Sequence, residues 1–162
     1  MKLLSFLAVF VLFCSSYAYV SHLAEYEASL KIWKNLRPST YTYSPFYKHY
    51  TIDYDITTAI TVTDGKVVKR TFTAPNEEIE TDEPYTWTEG PDSIGTHSEG
   101  WIPITLDDVY KQCRDNVLVH DNTAYPVVFK TDERGLLKDC YYYAAIWNDI
   151  PLDGIQIKSI EL

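Results

Sequence analysis

The sequence predicts a single α+β domain: an antiparallel sheet of five or six strands, an N-terminal helix, and a second helix before the last three strands. Three observations carry this expectation. The stretches 21–38 and 104–117 place apolar residues at helical spacing. Several other stretches are short, rich in Val, Ile, Thr and Tyr, and bounded by Gly, Pro or Asp turns, as strands are. Helix, strands, helix, strands is an order that does not suit a doubly wound parallel sheet, in which strands and helices alternate. A chain of 162 residues, 46% of them hydrophobic, is long enough to bury one substantial core.

The first residues, MKLLSFLAVFVLFCSSYA, combine Lys2, an apolar run from Leu3 to Phe13, and small residues at Ser16 and Ala18. That order reads as a secretory signal peptide over 1–18, with the secreted domain over 19–162. The apolar run is shorter than the roughly 20 residues that span a bilayer, so no membrane insertion is expected after its removal. Removal takes Cys14 with it and leaves Cys113 and Cys140, which in a secreted chain predict one disulfide. Two separately buried thiols are the alternative. A net charge of −9 without clustered Lys and Arg argues against nucleic acid and anionic membrane surfaces as partners.

In chain order, SHLAEYEASLKIWKNLRP sets Leu23, Tyr26, Leu30 and Trp33 on one helical face, with Glu25 and Glu27 early and Lys31, Lys34 and Arg37 late. Ser21 suits its start, and Pro38 its end. STYTYSPFYKHYTIDYD, broken by Pro45, reads as an edge strand or an irregular strand pair. DITTAITVTDGKVVKRTFT reads as a hairpin turning through Asp64 and Gly65. A three-residue turn would set Ile60 opposite Val68 and Ile56 opposite Phe72, gathering apolar side chains on one face, and is the preferred register.

Between Ala74 and Pro103 the composition shifts to eight acids with no Lys or Arg, which predicts a long acidic loop over 74–103. Trp87 and Trp101 within it imply that parts are tied to the body. Thr105 and Asp108 form a capping-box pattern ahead of a helix whose buried face should carry Leu106, Val109, Tyr110, Cys113 and Val117. YPVVFKT, LLKDCYYYAAIW and GIQIKSIEL complete the chain as three strands.

Strand alternation divides the tyrosine run into two rows. Cys140, Tyr142, Ala144 and Ile146 share one face, and Tyr141, Tyr143 and Trp147 the other. The second row is a candidate aromatic binding face, or else packing beneath the long loop. The acids Glu77, Glu78, Glu80, Asp82 and Glu83, with Trp87 and Trp101, form the second candidate surface. Those carboxylates suit weak Ca²⁺ or mineral contact but lack the spacing of a calcium loop, and otherwise form a solvated acidic segment. No cofactor, metal-ligand or catalytic motif stands out.

The succession YTY, ITVTDGKVV, ITLDDVY and YPVVFKTDERGLLKDCYYY after Trp33 resembles the domain-of-unknown-function 6174 family of small secreted or lipid-anchored proteins, over roughly Trp33 to Tyr143. The resemblance implies a fold and an extracellular address and transfers no site residues, since that family has no established activity. Its members often carry a cysteine pair after the first tyrosine strand, where this chain has SPFYKHYT. The expected function is a non-catalytic extracellular binding or structural module for a protein or matrix partner. The alternatives are a calcium- or mineral-contacting matrix protein and a small secreted hydrolase using His97 or His120.

Overall fold

The computed structural model describes residues 22–46, 56–74, 85–120, 124–147 and 150–162, the side chain of Trp147 excepted. The signal-peptide segment 1–18 and the acids Glu77, Glu78, Glu80, Asp82 and Glu83 lie outside these residues. The chain forms two compact units. One comprises the chain up to Leu36 together with Tyr110–Gly154, and the other Arg37–Val109 with Ile155–Leu162.

The first unit is organised by aromatic rings. Helix α1 occupies residues 22–36 and turns Tyr26, Ser29 and Trp33 inward, where they are buried. Tyr26 meets Tyr110 with 6.0 Å between ring centroids, and Trp33 stacks on Tyr110 at 14° between planes. A buried phenol needs a partner for its hydroxyl. That of Tyr110 lies 2.8 Å from Ser29 Oγ and accepts the Leu137 amide at 2.9 Å. Strands β5 (Val127–Thr131) and β6 (Leu137–Tyr143) pair antiparallel, with Phe129 opposite Cys140. Their turn is closed by the Asp132 carboxylate, which accepts the amides of Arg134 and Leu136. Cys140 is joined to Cys113. The strand expected to run on to Trp147 stops at Tyr143, because Ala145–Trp147 form a 3₁₀ turn that leaves Ile146 82% exposed. Ile146 therefore does not belong to the inward row.

The second unit carries most of the sheet. Strands β1 (Thr40–Phe46), β2 (Thr57–Thr63), β3 (Lys66–Ala74) and β4 (Tyr85–Glu89) lie in the order β4-β3-β2-β1, and β1 pairs in turn with β7 (Pro151–Glu161). Residues 151–154 of β7 belong to the first unit and the rest of the strand to the second. Every paired register is antiparallel. Among the described residues the fold is thus mostly β, with seven strands and two α-helices, which corrects the expected α+β architecture of five or six strands.

Three local readings are corrected with it. Strand β4 lies inside the stretch expected as loop. Strand β1 is interior, and it accommodates Pro45, which lacks an amide donor, at a bulge opposite β7. The hairpin turns through two residues, Asp64 and Gly65, both at positive φ, and a bulge at Thr61/Val62 then shifts the pairing by one. Ile60 consequently faces Arg70 rather than Val68, and Phe72 faces Thr58 rather than Ile56. Helix α2 (Leu106–Gln112) begins with the expected capping box. The Asp108 amide donates to Thr105 Oγ1 at 3.2 Å, and the Thr105 amide donates to Asp108 Oδ2 at 3.1 Å. Leu106, Val109, Tyr110, Cys113 and Val117 are all buried.

The disulfide closes a loop of 27 residues in sequence separation, which constrains the unfolded chain. Reduction, or Cys113→Ala with Cys140→Ala, should lower stability by about 3.5 kcal/mol in urea unfolding. An unfolding midpoint unchanged by reductant would show that the bond constrains nothing.

Candidate binding site

Alternation along β3 turns Arg70 and Phe72 inward, and alternation along β4 does the same for Trp87 and Glu89. The pairing sets Arg70 opposite Glu89 and Phe72 opposite Trp87. A cation and an anion thereby meet in the interior, Arg70 at 2% and Glu89 at 0% exposure. Arg70 Nε and Nη2 each donate to a different Glu89 oxygen at 2.8 Å, the bidentate geometry that suits a guanidinium and a carboxylate.

The pair also fastens the chain that follows β4. Glu89 accepts the amides of Gly95 at 2.8 Å and His97 at 2.7 Å, and the Thr96 hydroxyl at 3.2 Å. Nδ1 of His97 lies 3.1 Å from the same carboxylate. Arg70 donates onward to the carbonyls of His97 at 2.7 Å and Trp101 at 3.0 Å. Burial alone would raise the Glu89 pKa. The hydrogen bonds from Arg70, His97 and Gly95 outweigh it and hold the carboxyl well below its ordinary range.

Rings close over the pair. The Arg70 guanidinium lies 4.7 Å from the centroid of Trp87, His97 stacks on Trp87 at 4.2 Å, and Phe72 stacks on it at 5.3 Å. The far end of the segment is held by two phenols of β1. Tyr43 donates to the Ile104 carbonyl at 2.7 Å, and the Tyr41 hydroxyl accepts the Leu106 amide at 3.0 Å. Burial pushes Tyr41 up to about 12 and raises Tyr43 further, so both stay neutral throughout the physiological range. Midway, the Trp101 amide donates to Thr58 Oγ1 at 3.0 Å.

Where this segment crosses the sheet it leaves a cavity of ≈ 480 Å³ lined by Pro45, Ile56, Thr58, Phe72, Gly100, Trp101 and Ile102. Ile102 is 54% exposed, and the indole N–H of Trp101 is buried without a protein acceptor. Gly100 has φ +76, and a Cβ there would come within 2.8 Å of the Phe72 ring and 2.9 Å of Thr58 Oγ1. The chain approaches the sheet this closely only because residue 100 lacks a side chain.

Of the residues singled out in the sequence, Trp87 and Trp101 are brought together through Arg70. Trp87 is buried, and Trp101 forms part of the cavity wall. Tyr141 and Tyr143 belong to the other unit, where Tyr141 is buried at 9% exposure and Tyr143 is half-buried. The Trp147 side chain lies outside the described residues. The His120 ring lies 4.3 Å from that of Tyr142, tilted by 34°, and His97 belongs to the Glu89 cluster. Among the described residues no three His, Cys, Asp or Glu side chains gather as a metal site. Arg70 and Glu89, the centre of the arrangement, were not anticipated. The available signal was their phase, two residues from Phe72 and from Trp87.

No family model, curated protein or solved structure matches the chain.

Arg70→Met would strand a buried carboxylate and should destabilise the protein by about 3–5 kcal/mol. Because the folded pKa of Glu89 is depressed, its stabilisation is complete above the ordinary value of 4.5 and is lost as pH falls below it. Glu89→Gln should therefore flatten the acid limb of a stability–pH profile. An unchanged acid limb would show that Glu89 is not the linked group. Gly100→Ala should cost about 1–3 kcal/mol in thermal unfolding, through strain at positive φ and contact with Phe72. A neutral effect would refute the close approach.

Proposed function

We propose that the protein is a non-catalytic extracellular binding module whose site is the cavity between the 97–102 segment and strands β1 to β3, and whose ligand is a small, largely apolar molecule. The cavity itself carries the proposal. Its ≈ 480 Å³ falls within the range that small-molecule sites occupy, and six of its seven lining residues offer carbon surface or backbone with no polar side-chain group apart from one indole N–H. The anchoring of the segment by Arg70, Glu89, Tyr41 and Tyr43 favours binding without reordering.

The extracellular address is supported by the Cys113–Cys140 bond and by the leader-like order of residues 1–18. Among the described residues no helix is long and apolar enough to cross a membrane.

Titration with the neutral dye N-phenyl-1-naphthylamine, read by its own emission and by tryptophan quenching, tests the reading. Ile102→Asp removes apolar surface at the cavity and should weaken dye binding roughly tenfold. Equal binding by the two proteins would place the dye elsewhere and leave the cavity without a role. Hydrolytic turnover that disappears in His97→Ala would replace the binding reading with an enzymatic one.

A further inference from the structure

The residues that line the cavity belong to four stretches of chain, 40–46, 56–59, 71–74 and 98–105. Together these stretches hold one charged residue, Glu99. Glu99 is exposed and directly precedes the lining residue Gly100, so the two Cα atoms are about 3.8 Å apart. Ile56 and Ile102, also lining residues, are 36% and 54% exposed and mark where the cavity opens to solvent.

The described cations of β3 are not free to serve a ligand there. Arg70 shares the inward face with Phe72, but its donors are spent. Nε and Nη2 go to Glu89, Nη1 to the Trp101 carbonyl, and Nη2 also to the His97 carbonyl. At 2% exposure its guanidinium is closed off from solvent. Lys69 alternates to the opposite face of the sheet. The hydroxyl of Thr58, which lines the cavity, accepts the Trp101 amide. Around the opening the composition is acidic, since 74–103 contains eight acids and no Lys or Arg in a chain of net charge −9.

We infer that the ligand is an amphiphilic amine, whose apolar body fills the cavity and whose protonated amino group stays at the mouth beside Glu99. The assignment rests on the cavity being the binding site. A charge carried inward would lose its hydration without gaining a partner, so a charged group of the ligand must remain at the opening. There the potential is negative, from Glu99 at short range and from the acidic chain beyond it. Such a potential favours an ammonium and disfavours a carboxylate or sulfonate. An exposed carboxylate acts through water and contributes modestly, so it selects among apolar ligands while the cavity walls supply most of the affinity.

Displacement of N-phenyl-1-naphthylamine from the full chain, at near-neutral pH and low salt, tests the assignment with decylamine, decanol and decanoate, which carry similar unbranched tails. Decylamine should displace the dye at about threefold lower concentration than decanol, and decanoate should need about threefold more than decanol. Concentrated salt should bring the three together. Glu99→Lys, at an exposed position, should reverse the order of amine and carboxylate and leave decanol unchanged. Equal displacement by all three at low salt would overturn the assignment and leave the cavity to uncharged molecules. An amine preference that survives in Glu99→Lys would also overturn it, by tracing the preference to the net charge of the chain. Failure of the dye to bind, or of every probe to displace it, would instead remove the binding reading and this assignment with it.

Discussion

The buried pairing of Arg70 with Glu89 is the interaction on which the described part of the second unit depends. Two charges removed from water are costly, and their attraction offsets that cost only when the remaining donors and acceptors are also satisfied. Here the remaining partners are backbone groups of the segment after β4: the amides of Gly95 and His97 and the carbonyls of His97 and Trp101. The pair therefore cannot be satisfied unless that segment lies across the sheet. Electrostatic necessity in the core becomes a fixed loop path at the surface, and the cavity follows from the path.

The same strands perform two tasks on their two sides. Inward, Tyr41, Tyr43, Phe72 and Trp87 fill the interior and lend hydroxyls or ring faces to the crossing segment. Outward, threonines pair with threonines. Strand geometry permits this separation because adjacent side chains point to opposite faces. The first unit solves its own packing differently, gathering α1 around the ring of Tyr110 and securing Cys113 to Cys140.

Both helices, the capping box at Thr105 and the disulfide were legible in the sequence, because each depends on local spacing or on counting cysteines. The hairpin register was not. Reading it by apolar partners set Val68 opposite Ile60, where Arg70 stands instead, a shift of two residues that keeps the same side chains on the inward face. Strand β4 was hidden by its acidic, proline-containing surroundings, although Tyr85-Thr86-Trp87-Thr88 alternates as a strand should. The cavity could not be read at all, since Pro45, Ile56, Phe72 and Trp101 meet only through pairings distant in sequence. The threonines were visible as β-formers, but their alignment across strands needs the pairing of β1 with β2 and of β3 with β4.

Amide hydrogen exchange at Gly95 and His97 bears most directly on the claim that the buried pair holds the crossing segment. In an ordinary loop these amides would exchange with solvent at nearly unprotected rates. If Glu89 accepts both in a closed core, their protection should approach that of the β3 amides and should collapse in Arg70→Met while the β5–β6 hairpin keeps its own. Rapid exchange at Gly95 and His97 in the unaltered protein would contradict the account.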